Sequence, residues 1–393
     1  MYKTLKRAWM QMEPTMDSGA SQRADSTPFR VNNFDLLRIL AATQVLIIHS
    51  MARLEIPVPG GLKWLEWFPG VPIFFVISGY LVSASFERQK DIARYFKNRF
   101  LRIYPGLWVC IGVTAIVTTA LGYRRSHLLD FVWLPAQLLG IIYTPNFLRH
   151  FGAGTYNGAL WTIPIELQFY LMLPLVYFAS RRFRLGKLAA PLFLVLFVAI
   201  TLIISYTLPG FGTPQETRID KLVRYTFVSS FYLFILGIVL QRLQAFRSKL
   251  IAGRALYWSA GYVLLRLALP NELSPAFTVL CYLVLGICAV SVAYTIPRAS
   301  ELILHGQDIS YGVYIYHGLI INLLIEFSLR RGLYEIGVVA IATFVIAAVS
   351  WKLVEQPFLR KKKRRPEAIP TEALSAEAPP KVREAESALG PGV

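Results

Sequence analysis

The chain has 393 residues, 55% of them hydrophobic, with a mean hydropathy of +0.48 and a formal net charge of +18. Repeated long apolar runs at this composition exclude an ordinary soluble domain and imply an all-α, polytopic membrane protein. The cationic excess then belongs to cytoplasmic loops and anionic lipid; with no zinc spacing and no basic recognition helix, nucleic acid is not an expected partner.

Residues 1–33 are polar and mixed, without the apolar core of a signal peptide, and Met12 and Met16 offer alternative starts. They read as a mostly disordered cytoplasmic leader. The first apolar run, FDLLRILAATQVLIIHS over residues 34–50, carries Asp35, Arg38 and His49. Arg38 and His49 are close to a whole number of helical turns apart, so their side chains leave on one face, about 16 Å apart along the axis. Asp35 shares that face. His49 alone reads equally well as a helix-end histidine at the headgroups. Three ionisable groups on one stripe, each expensive against lipid, point instead to a polar interior.

About ten spans follow from apolar runs and turn punctuation. They lie near 34–52, 71–86, 105–122, 159–179, 188–208, 222–240, 255–269, 276–296, 310–328 and 333–354. Segment 127–148 is apolar but interrupted by Pro135 and Pro145. As a crossing it would move Arg181, Arg182, Arg184 and Lys187 outside, so it is expected to be re-entrant or to lie at the surface. Ten crossings put both termini in the cytoplasm and most Lys and Arg with them. The membrane domain is expected over 34–358, followed by a basic, then disordered, cytoplasmic tail over 359–393.

The second span contains GVPIFFVISGYL, whose Gly70, Ser78 and Gly79 read first as close-packing positions. YFKNRFLRIYP precedes the third span. Its Arg99 and Arg102 share a helix face and suit phosphate oxygens, though topology-setting charges are an equal reading. The fourth span opens GALWTIPIELQFYL, with Glu166 after Trp161. Counted from the outer surface, Glu166 falls about 10 Å deep, level with His49, so a His–Glu meeting is expected. In the ninth span, ISYGVYIYHGLII, His317 lies beside Tyr316 and is as readily a hydrogen-bonded structural histidine as a catalytic one. The tenth ends SWKLVEQPFLR, where Glu355 is expected to pair structurally with a basic loop residue. Cys110, Cys281 and Cys288 lie in apolar spans without a CxxC and read as buried thiols; no metal is expected.

Taken in order, FDLLRILAATQVLIIHS, GVPIFFVISGYL, RFLRIYP, LWTIPIELQFY, YGVYIYHG and VEQPF resemble the acyltransferase 3 family of membrane O-acyltransferases over nearly all of residues 34–358. The resemblance implies transfer of an acyl group, usually acetyl, from cytoplasmic acyl-CoA to a hydroxyl of a cell-surface or lipid-linked carbohydrate, in a bacterial inner membrane. His49 resembles the family's essential histidine, Arg38 its helix partner, Arg99 and Arg102 the pair implicated in coenzyme binding, and Glu166 the acidic position of the fourth span. On this reading His49 is the general base, oriented by Glu166, with acetyl-CoA as co-substrate. The motifs specify neither the acceptor nor an oligomeric state. A secondary transporter of a glycan precursor would also use intramembrane His, Glu and Arg, but no inverted repeat supports it.

Overall fold

Long apolar runs containing Ser and Thr stay helical here because the hydroxyls turn back onto their own helices. Thr43 donates to Ile39 O at 2.8 Å, Ser50 to Leu46 O at 2.7 Å, and Thr114 to Cys110 O at 2.8 Å. The computed structural model describes residues 32–363, apart from 89–90, 126, 209–215, 270–273, 297 and 329–331. Among the described residues the secondary structure is helical, with no strand. The leader, and the tail beyond Lys363, lie outside the described residues.

The helices are α1 (Phe34–Arg53), α2 (Gly70–Arg88), α3 (Ile92–Ala120), α4 (Leu128–Leu138), α5 (Thr162–Arg182), α6 (Ala189–Thr207) and α7 (Arg218–Arg224). They continue as α8 (Phe231–Arg242), α9 (Ala255–Ala268), α10 (Pro275–Ala293), α11 (Ala299–Leu304), α12 (Ser310–Glu326) and α13 (Leu333–Ser350). A π-helical turn, Trp351–Glu355, leads into α14 (Gln356–Lys363). A helix lies over each of the ten expected spans, and among the described residues seven segments are long and apolar enough to cross a bilayer. The chain is a multi-pass membrane protein. Asn33, read as the end of the leader, is buried, accepts from Ser300 N at 2.8 Å and donates its backbone N–H to Ala293 O at 2.9 Å. The third span begins well before residue 105: Asp91 caps α3 through Ala93 N at 2.9 Å, and the helix continues through Pro105. All three cysteines are free and buried.

The centre of the bundle is the packing of α2 on α8, which two glycines permit. A Cβ at Gly79 would stand 2.0 Å from Phe234 O, and one at Gly237 would stand 2.2 Å from Val76 O. Between helices in lipid, this close backbone approach is itself the attraction.

Residues 121–161 are the part that hydropathy describes least well. After α3 the chain turns back, and α4 runs beside it. Trp108 Nε1 donates to Leu138 O at 2.9 Å and Tyr104 OH to Leu139 O at 3.3 Å. Those two side chains sit about 18–24 Å back from the end of α3 at 1.5 Å per residue, so the tip of the excursion lies beside the middle of that helix. Irregular backbone there must be satisfied by protein. Gln137 Nε2 donates to Ile141 O at 3.0 Å and Tyr143 O at 3.2 Å, and Trp133 Nε1 also donates to Tyr143 O. Segment 127–148 thus folds back beside α3 instead of continuing as one long apolar helix.

The chain then descends along α12. Gly152 N donates to Glu326 Oε2 at 3.2 Å, Ala153 N to Asn322 Oδ1 at 3.1 Å, and Asn157 Nδ2 to Ile315 O at 2.7 Å. Glu326 and Ile315 are about 16 Å apart on α12. Helix α5 therefore starts deep in the bundle, where Thr162 Oγ1 meets Tyr314 OH at 2.8 Å.

Candidate active site

The polar stripe of α1 faces α12 and the loop before it. Toward one end, His49 Nδ1 lies 3.0 Å from His317 Nε2, with ring centroids 5.2 Å apart. His317 is completely buried, and its Nδ1 lies 3.1 Å from Val313 O. Tyr314 packs against His317 with centroids 5.9 Å apart and against Phe74 at 5.6 Å.

Toward the other end, Arg38 Nη1 lies 2.9 Å from Asp308 Oδ2, and Arg102 from α3 binds the same oxygen. Ser310 Oγ donates to Asp308 Oδ1 at 2.5 Å. Burial alone would raise the Asp308 carboxyl, but Arg102 and Arg38 hold it well below the usual carboxylate range. Asp35 adds a longer contact, 3.7 Å from Arg38. Above this cluster is a cavity of about 50 Å³, room for a few waters, lined by Arg38, Ser78, Arg102, Thr162, Glu166, Tyr311 and Tyr314. Tyr314 thus separates the cavity from the two histidines.

Glu166 belongs to the cavity. It accepts from Ser78 Oγ at 3.4 Å and from Tyr170 OH, while His49 meets His317. The expected His49–Glu166 contact is not made. Its premise was a fourth span starting at the surface; the re-entrant descent starts α5 much deeper and drops Glu166 toward the level of Arg38 and Arg102.

Arg99 and Arg102 are also parted. Arg102 points into the cavity, whereas Arg99 stacks on the Tyr170 ring, 5.7 Å from its centroid. It lines a second hollow of about 630 Å³, walled by Phe96, Phe100, the re-entrant tip and Tyr225. Its Nε is buried without a hydrogen-bond partner among the described residues. Trp161 is stacked by Arg224 at 5.9 Å. Tyr316 OH donates to Ser350 Oγ at 3.2 Å, which reaches Glu355 Oε1 at 3.3 Å. The expected ion pair of Glu355 with a loop cation is therefore replaced by burial on the π turn.

Asp308 escaped the sequence reading because HGQDIS looks like an ordinary helix-start turn. The signal was present: Arg38 and Arg102 both needed an acid, and Asp308 is the carboxylate immediately before the ninth span. Tyr314 and Thr162 had no such signal, since their pairing depends on the depth at which α5 starts.

Comparison with known proteins identifies the family. The acyltransferase domain profile matches residues 31–355. The chain is 32% identical over 361 residues to nodulation protein 10 of Rhizobium leguminosarum bv. viciae, covering 84% of this chain and 93% of that protein. It is 27% identical over 351 residues to an O-acetyl transferase of Shigella phage Sf6, covering 84% and 96%. It is also 28% identical over 221 residues to O-acetyltransferase OatA of Staphylococcus aureus, covering 50% of this chain and 34% of that protein. No solved structure matches the chain.

Proposed function

This chain belongs to the acyltransferase family, and on that premise we propose that it is an O-acetyltransferase that takes its acyl group from cytoplasmic acetyl-CoA. It delivers that group to a hydroxyl of a cell-surface or lipid-linked carbohydrate, from the inner membrane of a bacterium. The names of the phage and staphylococcal relatives support the acetyl group and the oxygen acceptor. The observation that carries the reading is the arrangement on either side of Tyr314. On one side is an imidazole pair suited to moving a proton; on the other is a small polar cavity floored by two guanidinium groups.

Attack by an alcohol on a thioester requires removal of the hydroxyl proton as the C–O bond forms. Nε2 of His49 takes that proton. The tetrahedral oxyanion collapses with cleavage of the C–S bond, and the imidazolium returns the proton to the departing thiolate, so ester and thiol leave and the enzyme is unchanged. The cavity of about 50 Å³ must widen past Tyr314 to admit the donor's pantetheine arm, and Arg38 and Arg102, fixed by Asp308, then form the floor against which it lies. Glu166 accepts hydrogen bonds from that arm. Arg99, in the wall of the lateral hollow, takes a coenzyme phosphate through its guanidinium group.

Membranes supplied with labelled acetyl-CoA test this. Label should enter the glycan fraction with the wild-type chain and not with His49→Ala at equal membrane abundance. Wild-type labelling by His49→Ala would remove His49 from catalysis, and label confined to lumenal solute would favour transport.

A further inference from the structure

Building on the acyltransferase reading, we propose that His317 is a positioning residue that fixes His49 in the one tautomer able to act as base. A carbonyl oxygen only accepts hydrogen bonds. His317 Nδ1, 3.1 Å from Val313 O, therefore carries a hydrogen. His317 is completely buried, and neither of its described hydrogen-bond partners is a carboxylate. An unpaired cation there would be costly, so the ring is neutral and has a single N–H. Its Nε2 is then an acceptor, and His49 Nδ1, 3.0 Å away, must donate to it. The lone pair of His49 is left on Nε2, the atom the reaction needs.

The supporting ring is itself held in place. Tyr314 packs on it, and the turn behind it is pinned by Asn157, whose Nδ2 donates to Ile315 O and whose Oδ1 occupies the space that a Cβ at Gly318 would need. During transfer the acceptor's O–H bond breaks and an N–H bond forms at His49 Nε2. The positive charge is shared along the N–H···N contact with His317, and the same Nε2 proton goes to the thiolate. The Nδ1 hydrogen of His49 stays where it is. This is the task the sequence assigned to Glu166, performed by a neutral ring instead of a carboxylate.

The chain has five histidines, so replacing His127, His150 and His305 by Gln leaves only this pair. Nitrogen-15 NMR of that histidine-labelled variant in nanodiscs should show His49 protonated at Nδ1 with a lone pair at Nε2. A His49 protonated at Nε2 overturns the proposal. This readout is independent of turnover, so it stands or falls separately from the enzyme assignment. Kinetically, His317→Gln keeps an acceptor oxygen near the former Nε2 and should retain kcat within about tenfold, whereas His317→Leu should lose about 10²–10⁴ in kcat with KM for acetyl-CoA unchanged. Equal losses in the two variants, or a loss carried by KM, overturn it. Should His317→Leu fail to fold, the Gln variant decides: His49 protonated at Nε2 together with wild-type kcat rejects the role.

Discussion

Arg38 and Arg102 reach the same oxygen, Oδ2 of Asp308, from two different helices. Asp35 lies 3.7 Å from Arg38 and Glu166 lines the same cavity, so the two guanidinium groups are held among carboxylates. Asp308→Asn would leave two largely buried guanidinium groups without their acid. The expected outcome is a loss of about 3 kcal/mol in stability, read as a lower melting temperature in nanodiscs. An unchanged melting curve would show that the cluster does not hold α1, α3 and α12 together.

The same carboxylate sets a pH dependence. Its folded-state pKa lies below the unfolded value, so its contribution is fully present above the ordinary carboxylate pKa and is lost as pH falls through the depressed one. Wild-type melting temperature should therefore fall on acidification below about pH 4. In Asp308→Asn this portion of the acid loss should disappear, as melting scans from pH 3 to pH 7 would show.

Arg99 and Arg102 differ in what each holds. Arg99→Ala breaks a stacking contact but no ion pair, so stability should change by less than about 1 kcal/mol. Apparent KM for acetyl-CoA should rise about ten- to a hundredfold, the worth of one charge-assisted hydrogen bond. Arg102→Ala should lower both melting temperature and activity. Identical behaviour of the two variants would refute the division between cavity and lateral hollow.

Glu166 supplies a third contrast. Glu166→Gln keeps an acceptor for Tyr170 and Ser78, so activity should stay within about tenfold of wild type, with an unmoved pH optimum. Glu166→Leu removes the acceptor that Tyr170 and Ser78 share and should cost about 1–3 kcal/mol in stability. A shifted pH profile in Glu166→Gln would restore the carboxylate to the role of orienting His49.

Gly79→Ala and Gly237→Ala should each disrupt the α2–α8 contact, because a methyl group meets backbone in both cases. Overpacking of this kind costs about 1–3 kcal/mol. Reduced yield of monodisperse protein in detergent is the measurement. Gly261, where nothing stands within 4 Å of a Cβ, serves as the neutral control on α9.

What the sequence made legible was what has a period. Asp35, Arg38 and His49 share a face because 3.6 residues per turn requires it, and α1 presents that face inward. The ten apolar runs are helices for the same reason. Depth was not legible. Glu166 was placed by counting from a surface that α5 never reaches, because the descent along Glu326, Asn322 and Ile315 is written in single polar side chains with no repeat. Spacing also misled at Arg99 and Arg102: three residues leave two side chains about 60° apart, enough for them to line two different hollows. His317 was identified, but its partner depended on where two distant helices met.

The excursion over 127–148 has a topological consequence. A hairpin that returns to the side it left adds nothing to the parity of crossings, whereas a full passage would invert every later segment, starting with Arg181, Arg182, Arg184 and Lys187. The carbonyls at its tip are capped by Tyr104, Trp108, Trp133 and Gln137. Those four donors let an apolar stretch end at a turn beside α3, satisfying in protein the backbone carbonyls that a straight helix would have satisfied within itself.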